Sequence, residues 1–583
     1  METFKSAGSF ELLSRASSCL KDRLSDFGSS SHQKTETALQ SVLQNIVDMV
    51  SGSVSEPLYR LASLDPGTGK TEAVCAFLRT WKDTGFLPDT GALIVLSTRK
   101  EIENCIERSG LTPADFAIII EKDHEMNARG LMIPEVAPVL FTTQEKLRWL
   151  CDGRSFADVS DLHYRGHPRK LRIWDEAFMP AGPAIIRRDT IVQPLEDLRP
   201  IHPTAAASLD SLRDSLSADR AGEVVQVPRA ISAAQGALQG IYGRAGAERW
   251  SPLASLAGQE ALVINDGSRG LHLVGASRHL PADFAPALIL DASGRVRETY
   301  KVMEAAGLLK RLPIAAKRYD RLTINHWDKG ASRSVLVDSK KRQEVLEGIA
   351  DAINAKGDEE HWLVIHPKAN DRQAHCLKGE LRALVKSPAR LSFLHWGNHH
   401  GTNDFRHIRK VAVIGLWNAP NPAYAALHIA AGGSMDRAAD RETREAMRAG
   451  EHRHNLLQAI CRASIRQGAE NDCEVFLVGH LGPEGREILR ETFPGAKVDS
   501  WKPEGWELTG SALKVAQALE GIFAGGVHSI EKATLRALLG YRTVQGLAKV
   551  LRQEDFRAWA TRRSIVVYTR LIEQDLVSVA IPA

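Results

Sequence analysis

The sequence predicts an α/β protein built on two mostly parallel sheets flanked by helices. Three observations carry that expectation. Short apolar strand-like runs alternate with amphipathic helical stretches, the pattern of βαβ units and a buried parallel sheet. The alternation occurs twice, before and after a stretch at 179–285 where it lapses. A glycine-rich turn joins a strand to a helix early in the first series. With 583 residues the chain is too long for one core, and about 150 residues per domain suggests roughly four units. Hydrophobic content of 43% and charged content of 25% exclude wholesale disorder.

Taken in order, residues 1–36 are Ser-rich and polar and are expected to form a loosely packed helical lead-in. From Thr37, ALQSVLQNIVDMV places apolar residues at helical spacing, and GSVSEPLYRLASL reads as a turn and then a strand. Strands follow at ALIVLS (92–97), FAIII (116–120), VAPVLFT (136–142) and LRIWD (171–175). Residues 179–285 have helical character and form an insertion, after which ALILDAS (287–293) resumes the series. The second series comprises SVLVD (334–338), HWLVIHP (361–367), LSFLHWG (391–397), VAVIGLW (411–417) and VFLVGH (475–480). Domain boundaries are therefore expected at 37–325 and 326–505, with a small unit at 510–583.

That last unit has short helices, a Gly at a turn and a β-rich end, which suggests a winged helix-turn-helix. From Arg536 to Arg570 it carries eight basic residues against Glu554 and Asp555, so nucleic acid is an expected ligand. The net charge of the whole chain, +4, forces no such partner by itself. No run of 18 apolar residues and no cleavable leader is seen, so no membrane partner is expected. Seven cysteines without a CxxC pair argue against a zinc ribbon, an iron–sulfur cluster or a disulfide scaffold. They suit a reducing, cytoplasmic setting.

The sharpest motif is Pro66-Gly67-Thr68-Gly69-Lys70-Thr71, placed between strand and helix. Glycines allow backbone N–H groups to turn inward and cradle phosphates. Lys70 supplies a compact positive charge, and the Thr71 hydroxyl can ligate Mg²⁺. Leu64 stands where the general GxxxxGK[ST] form has its first glycine. Later, LRIWD-EAF ends a strand in two acids. Asp175 is expected to hold the metal and Glu176 to polarise the attacking water.

With these motifs in place the chain resembles a superfamily 2 helicase-type ATPase with two RecA-like domains. PGTGKT (66–71) and DEAF (175–178) carry the resemblance, supported in order by LIVLSTR (93–99), FTTQEKL (141–147), LDASGR (290–295), GTNDF (401–405) and QAICRASIR (458–466). The resemblance implies ATP and Mg²⁺ as cofactors, while the composition and lead-in suggest a bacterial, phage or mobile-element origin. It makes Arg462 and Arg466 candidate arginine fingers, with Gln458 beside them at the nucleotide. Cys461 replaces the usual Gly and the next Arg comes four residues on, so Arg462 is favoured. Gln40 is the candidate adenine-contacting glutamine.

It also implies a backbone-tracking surface for nucleic acid formed by Thr98, Arg99, Thr142, Thr143, Gly401, Thr402 and Asn403. DNA is the expected track, with RNA left open. A metal site at His395, His399 and His400 is weighed and set aside, because no Cys or carboxylate completes it. A protein partner could dock on the 179–285 insertion or the C-terminal unit. The expected activity is an ATP-dependent helicase or translocase. The alternative is a nucleic-acid-stimulated ATPase switch for replication loading or antiviral defence.

Overall fold

A computed structural model describes the whole chain except residues 1, 27–32, 86, 88, 89, 123, 369–375, 399–403, 468–471, 504–507, 509 and 575–583. Its frame is two parallel sheets. The first has seven strands in the order Leu309–Arg311, Tyr59–Ala62, Ala287–Leu290, Leu171–Asp175, Ala92–Leu96, Val139–Thr143 and Phe116–Ile119. The second has six, in the order Leu391–His395, Trp362–His366, Lys410–Ile414, Cys473–Val478, Leu322–Trp327 and Lys497–Ser500. Alternate residues of each strand enter opposite cores. Ile94, Phe141 and Ile173 pack on one face of the first sheet, while Leu93, Leu140 and Trp174 pack on the other. Leu363 and Ile365 are divided from Trp362 and Val364 in the same way in the second. The frame of the protein is thus two tandem α/β units, each built on a parallel sheet.

The lead-in is better packed than expected. Helix Glu2–Asp26 buries Leu12, Ala16 and Leu20, spaced four residues apart, against the first core. The SVLVD strand does not form; Val335–Val337 is a 3-10 turn with Val337 exposed. Its place in the sheet belongs to Leu322–Trp327, whose interleaved Thr323 and Asn325 hid it from an apolar-run search.

The insertion has the expected helices, among them Pro203–Ser215 and Ala234–Ala247. It also carries an antiparallel four-stranded sheet, ordered Ala181–Arg187, Leu271–Arg278, Glu260–Asn265 and Val224–Gln226, that the composition concealed. One face of that sheet reaches the second domain. Leu262, Ile264 and Val274 pack with Ala425, Ala426 and Ala438, and Asn421 Nδ2 donates to Asp266 Oδ1 at 3.1 Å.

The C-terminal unit places helices Gly510–Ala524, Lys532–Leu538, Val544–Leu551 and Glu554–Arg562 beside a three-stranded antiparallel sheet. Arg542, Lys549, Arg552, Arg557 and Arg570 are exposed on it. Among the described residues no helix is long and apolar enough to cross a membrane.

Candidate nucleotide site between the two domains

The P-loop occupies the turn between strand Tyr59–Ala62 and helix Lys70–Asp83. Gly67 and Gly69 have φ of 77° and 101°, in the left-handed region that glycine tolerates. At Gly67 space demands glycine as well, since a Cβ would lie 2.5 Å from the Arg466 carbonyl oxygen, whereas one on Gly69 would meet only the movable Leu24 Cδ2 of the N-terminal helix, at 2.9 Å.

Leu64 explains its own departure from the usual motif. Its side chain is buried in the first core beside Leu312 and Ala315, and its backbone bridges to Ala315. Pro66 is buried, and the Thr68 hydroxyl closes the turn by donating to the Asp65 carbonyl at 2.8 Å. Lys70 Nζ folds back onto the Leu64 carbonyl at 2.5 Å. Desolvation pushes its pKa down, opposed by Glu176 and Asp175.

The two expected metal ligands meet: the Thr71 hydroxyl donates to Asp175 Oδ2 at 3.2 Å. Desolvation, then the charges of Glu176 and Glu101, raise the Asp175 carboxyl to about 7. A divalent cation would relieve that crowding of acids, so the donor set fits Mg²⁺. Among the described residues no cluster of three or more His, Cys, Asp or Glu forms a metal cage. Mg²⁺ bound with phosphates needs only one or two protein ligands.

Glu176 holds φ of 75°, unusual for a residue with a side chain, and its N–H donates to the Leu290 carbonyl at 3.0 Å. The twist directs the carboxylate at the second domain, where Gln458 Nε2 donates to its Oε2 at 3.2 Å. Gln458 in turn accepts from Arg462 Nη2 at 3.1 Å. Both are buried near the end of helix Arg441–Ile460 and the turn after it. Arg466 lies against the P-loop, with its Cγ 3.1 Å from the Gly67 Cβ position. Burial, then Arg462, lowers its pKa, while Glu176 and Asp175 oppose the shift. Cys461 fills the expected glycine position as a buried thiol, which burial pushes up to about 11.

Several residues at the site were not anticipated. Gln144 Nε2 donates to the Asp175 carbonyl at 2.7 Å and to Ser97 Oγ at 3.1 Å. Asp65, within the P-loop, accepts a forked pair from Arg295 at 2.7 and 3.1 Å and the Tyr319 hydroxyl at 2.8 Å. A further chain runs from the acidic motif to the second domain. Tyr300 OH accepts from Phe178 N and donates to Asp291, Ser293 Oγ donates to Asp291, and His454 Nδ1 lies 2.6 Å from Ser293 Oγ. Arg297 and Glu451 form a buried forked pair nearby. Glu176, Gln144, Arg297, Glu451 and His454 also line a cavity of about 590 Å³. Five of these residues lie inside the motif-like blocks: Ser97 in LIVLSTR, Gln144 in FTTQEKL, and Asp291, Ser293 and Arg295 in LDASGR. Tyr300 and His454 had no such cue.

The expected nucleic-acid contacts divide. Thr98 and Thr143 cap the helices Arg99–Ser109 and Gln144–Leu150, and Thr98 forms a reciprocal capping box with Glu101. Arg99 is half-exposed and paired with Glu121. Thr142 departs from the expectation. It is fully buried and donates to the Ile119 carbonyl at 2.6 Å, because its strand position points into the sheet. Gly401, Thr402 and Asn403 lie outside the described residues, as do His399 and His400. Gln40 is exposed and accepts from Ser17 of the N-terminal helix at 2.8 Å.

No protein-family model matches the chain, and a search of curated proteins finds no match. Solved structures similar to it include Xpd4 of S. tokodaii, with 12% identity over 79% of this chain and 99% of that one, TM-score 0.43. Dbp5 of S. cerevisiae bound to RNA and ADP BeF3 is 10% identical over 86% of this chain and 99% of that one, TM-score 0.35. RecG bound to a three-way DNA junction is 13% identical over 83% of this chain and 51% of that one, TM-score 0.33.

Proposed function

We propose that this chain is an ATP-dependent helicase or translocase acting on nucleic acid, DNA in preference to RNA, that hydrolyses ATP between its two RecA-like domains. The observation that carries the proposal is the Glu176–Gln458–Arg462 chain, which ties the expected base to the second domain. In this reading the P-loop from Pro66 to Thr71 cradles the phosphates, and Lys70 leaves its backbone carbonyls to meet them. Thr71 and Asp175 would hold Mg²⁺, which neutralises phosphate charge. Glu176 takes the proton of the attacking water. Arg462, with Arg466 beside the P-loop, offsets charge building on the γ-phosphate. Because Gln458 and both arginines belong to the second domain, hydrolysis depends on domain closure.

The track would run past the helix starts at Thr98 and Thr143. Gln144 would then report strand contact to the Asp175 backbone, and the basic C-terminal face would add salt-sensitive affinity. Glu176→Gln should bind ATP and fail to turn it over; full turnover by a folded Glu176→Gln protein would remove the assignment.

A second reading is favoured by the apolar seam between the insertion and the second domain. A nucleic-acid-stimulated switch could use that seam to report domain state without unwinding. Strand displacement on a forked duplex, measured beside ATPase stimulation, separates the two.

A further inference from the structure

Lys317 lies on the segment leading from the first domain to the second, and the P-loop sets its position. Its main-chain N–H donates to Asp65 Oδ2 at 3.0 Å. Its ammonium donates to the Arg466 carbonyl at 2.7 Å and stands 3.2 Å from the Cβ position of Gly67. Among the described residues no carboxylate pairs with that ammonium, since the Asp65 carboxylate is taken by Arg295, Tyr319 and the Lys317 backbone. A partly buried cation with a neutral partner is costly, and here it shares the P-loop with Lys70 and Arg466. Three cations converging on an anion cradle repel one another until a polyanion arrives.

We propose that Lys317 is a second phosphate-binding lysine of this site, whose ammonium leaves the Arg466 carbonyl to bond the terminal phosphate oxygens of the nucleotide held by Lys70 and the P-loop. The inference deepens the ATP reading and rests on it. It also gives phosphate a direct effect on the second domain, because the carbonyl released belongs to Arg466. Burial, against the opposing charges of Cys461 and Asp65 and helped by Arg466 and Lys70, brings the Lys317 ammonium down to about 8. The phosphate contact should therefore weaken as pH rises through that value.

The test is equilibrium titration of the full chain with fluorescent ATP and ADP analogues and Mg²⁺, from pH 7 to 9. Lys317→Met should weaken ATP by about tenfold or more, and ADP by less, while Lys317→Arg recovers most of the loss. The wild-type decline in ATP affinity above pH 8 should disappear in Lys317→Met. A folded Lys317→Met protein with wild-type ATP affinity overturns the inference. Should Lys317→Met not fold, the wild-type pH profile and Lys317→Arg decide, and a flat profile overturns it. A wild-type protein that binds no ATP, or a Lys70→Ala protein that binds it unchanged, overturns the underlying ATP reading instead.

Discussion

Gln458 donates to Glu176 across the boundary between the two domains at 3.2 Å, so the residue assigned to activate water is held by a helix of the other domain. Glu176 meets Gln458 only because its own backbone takes a left-handed turn at the end of strand Leu171–Asp175. Strain at the strand's end is thereby coupled to a contact between domains, an arrangement suited to an activity gated by closure.

Removing the cation that meets the phosphates should stop the chemistry and spare the fold. Lys70→Ala is expected to lower ATP turnover at least about a hundredfold. Among the described residues Lys70 Nζ bonds backbone carbonyls alone, so the melting temperature should change little. A coupled ATPase assay with a thermal melt checks both.

The interdomain contact should affect turnover more than affinity. Gln458→Ala removes the side chain that links Glu176 to Arg462, and kcat is expected to fall about tenfold or more with KM nearly unchanged. Steady-state kinetics over a range of ATP concentrations reads the split.

Asp65 and Arg295 form a buried pair, with 0% and 9% of their side-chain surfaces exposed. Asp65→Asn leaves the guanidinium without its counter-charge and should cost about 3 kcal/mol of stability, measured by urea unfolding.

Acid should weaken the second domain. His452 is buried, and that burial, with Arg448 and Arg453 nearby, holds its pKa down to about 4. His366 is likewise held to about 4, mainly by burial. The unfolded chain protonates these rings near 6.5, so it binds more protons than the native protein between about 4 and 6.5. Stability from each is complete above pH 6.5 and is lost as pH falls toward 4, on the order of 3 kcal/mol per ring. His452→Asn should show a shallower loss of unfolding free energy between pH 7 and 4.5 than wild type.

The seam between the insertion and the second domain is open to the same kind of test. Leu262→Ala removes a fully buried side chain facing Ala425 and Ala426, at about 2–4 kcal/mol. Hydrogen exchange in helix Asn421–Ala430 should quicken, because that helix forms the other half of the seam.

The α/β frame and the glycine turn between strand and helix were legible because their signals are local. A phosphate turn needs glycine at particular positions, and buried parallel strands are continuous apolar runs. The pairing of Thr71 with Asp175 could be expected from chemistry alone. What stayed hidden was set by tertiary neighbours. Leu322–Trp327 alternates apolar and polar residues, so it lacks the unbroken apolar run that SVLVD displays. The insertion's strands lie between Ala-rich helices whose composition dominated that stretch. Lys317 and Tyr319 are near neighbours, but Asp65 lies 252 residues before Lys317, and only folding brings them to one turn. Thr142 looked like a surface polar residue until its strand position turned it inward.

The central claim is that nucleic acid drives ATP hydrolysis between these domains. The most direct test is the steady-state ATPase rate of the full chain with no nucleic acid, single-stranded DNA, duplex DNA or RNA, using Lys70→Ala as the blank. The account predicts strong stimulation by DNA, greatest for the form that serves as the track. A rate above the blank that is indifferent to all four conditions would contradict it.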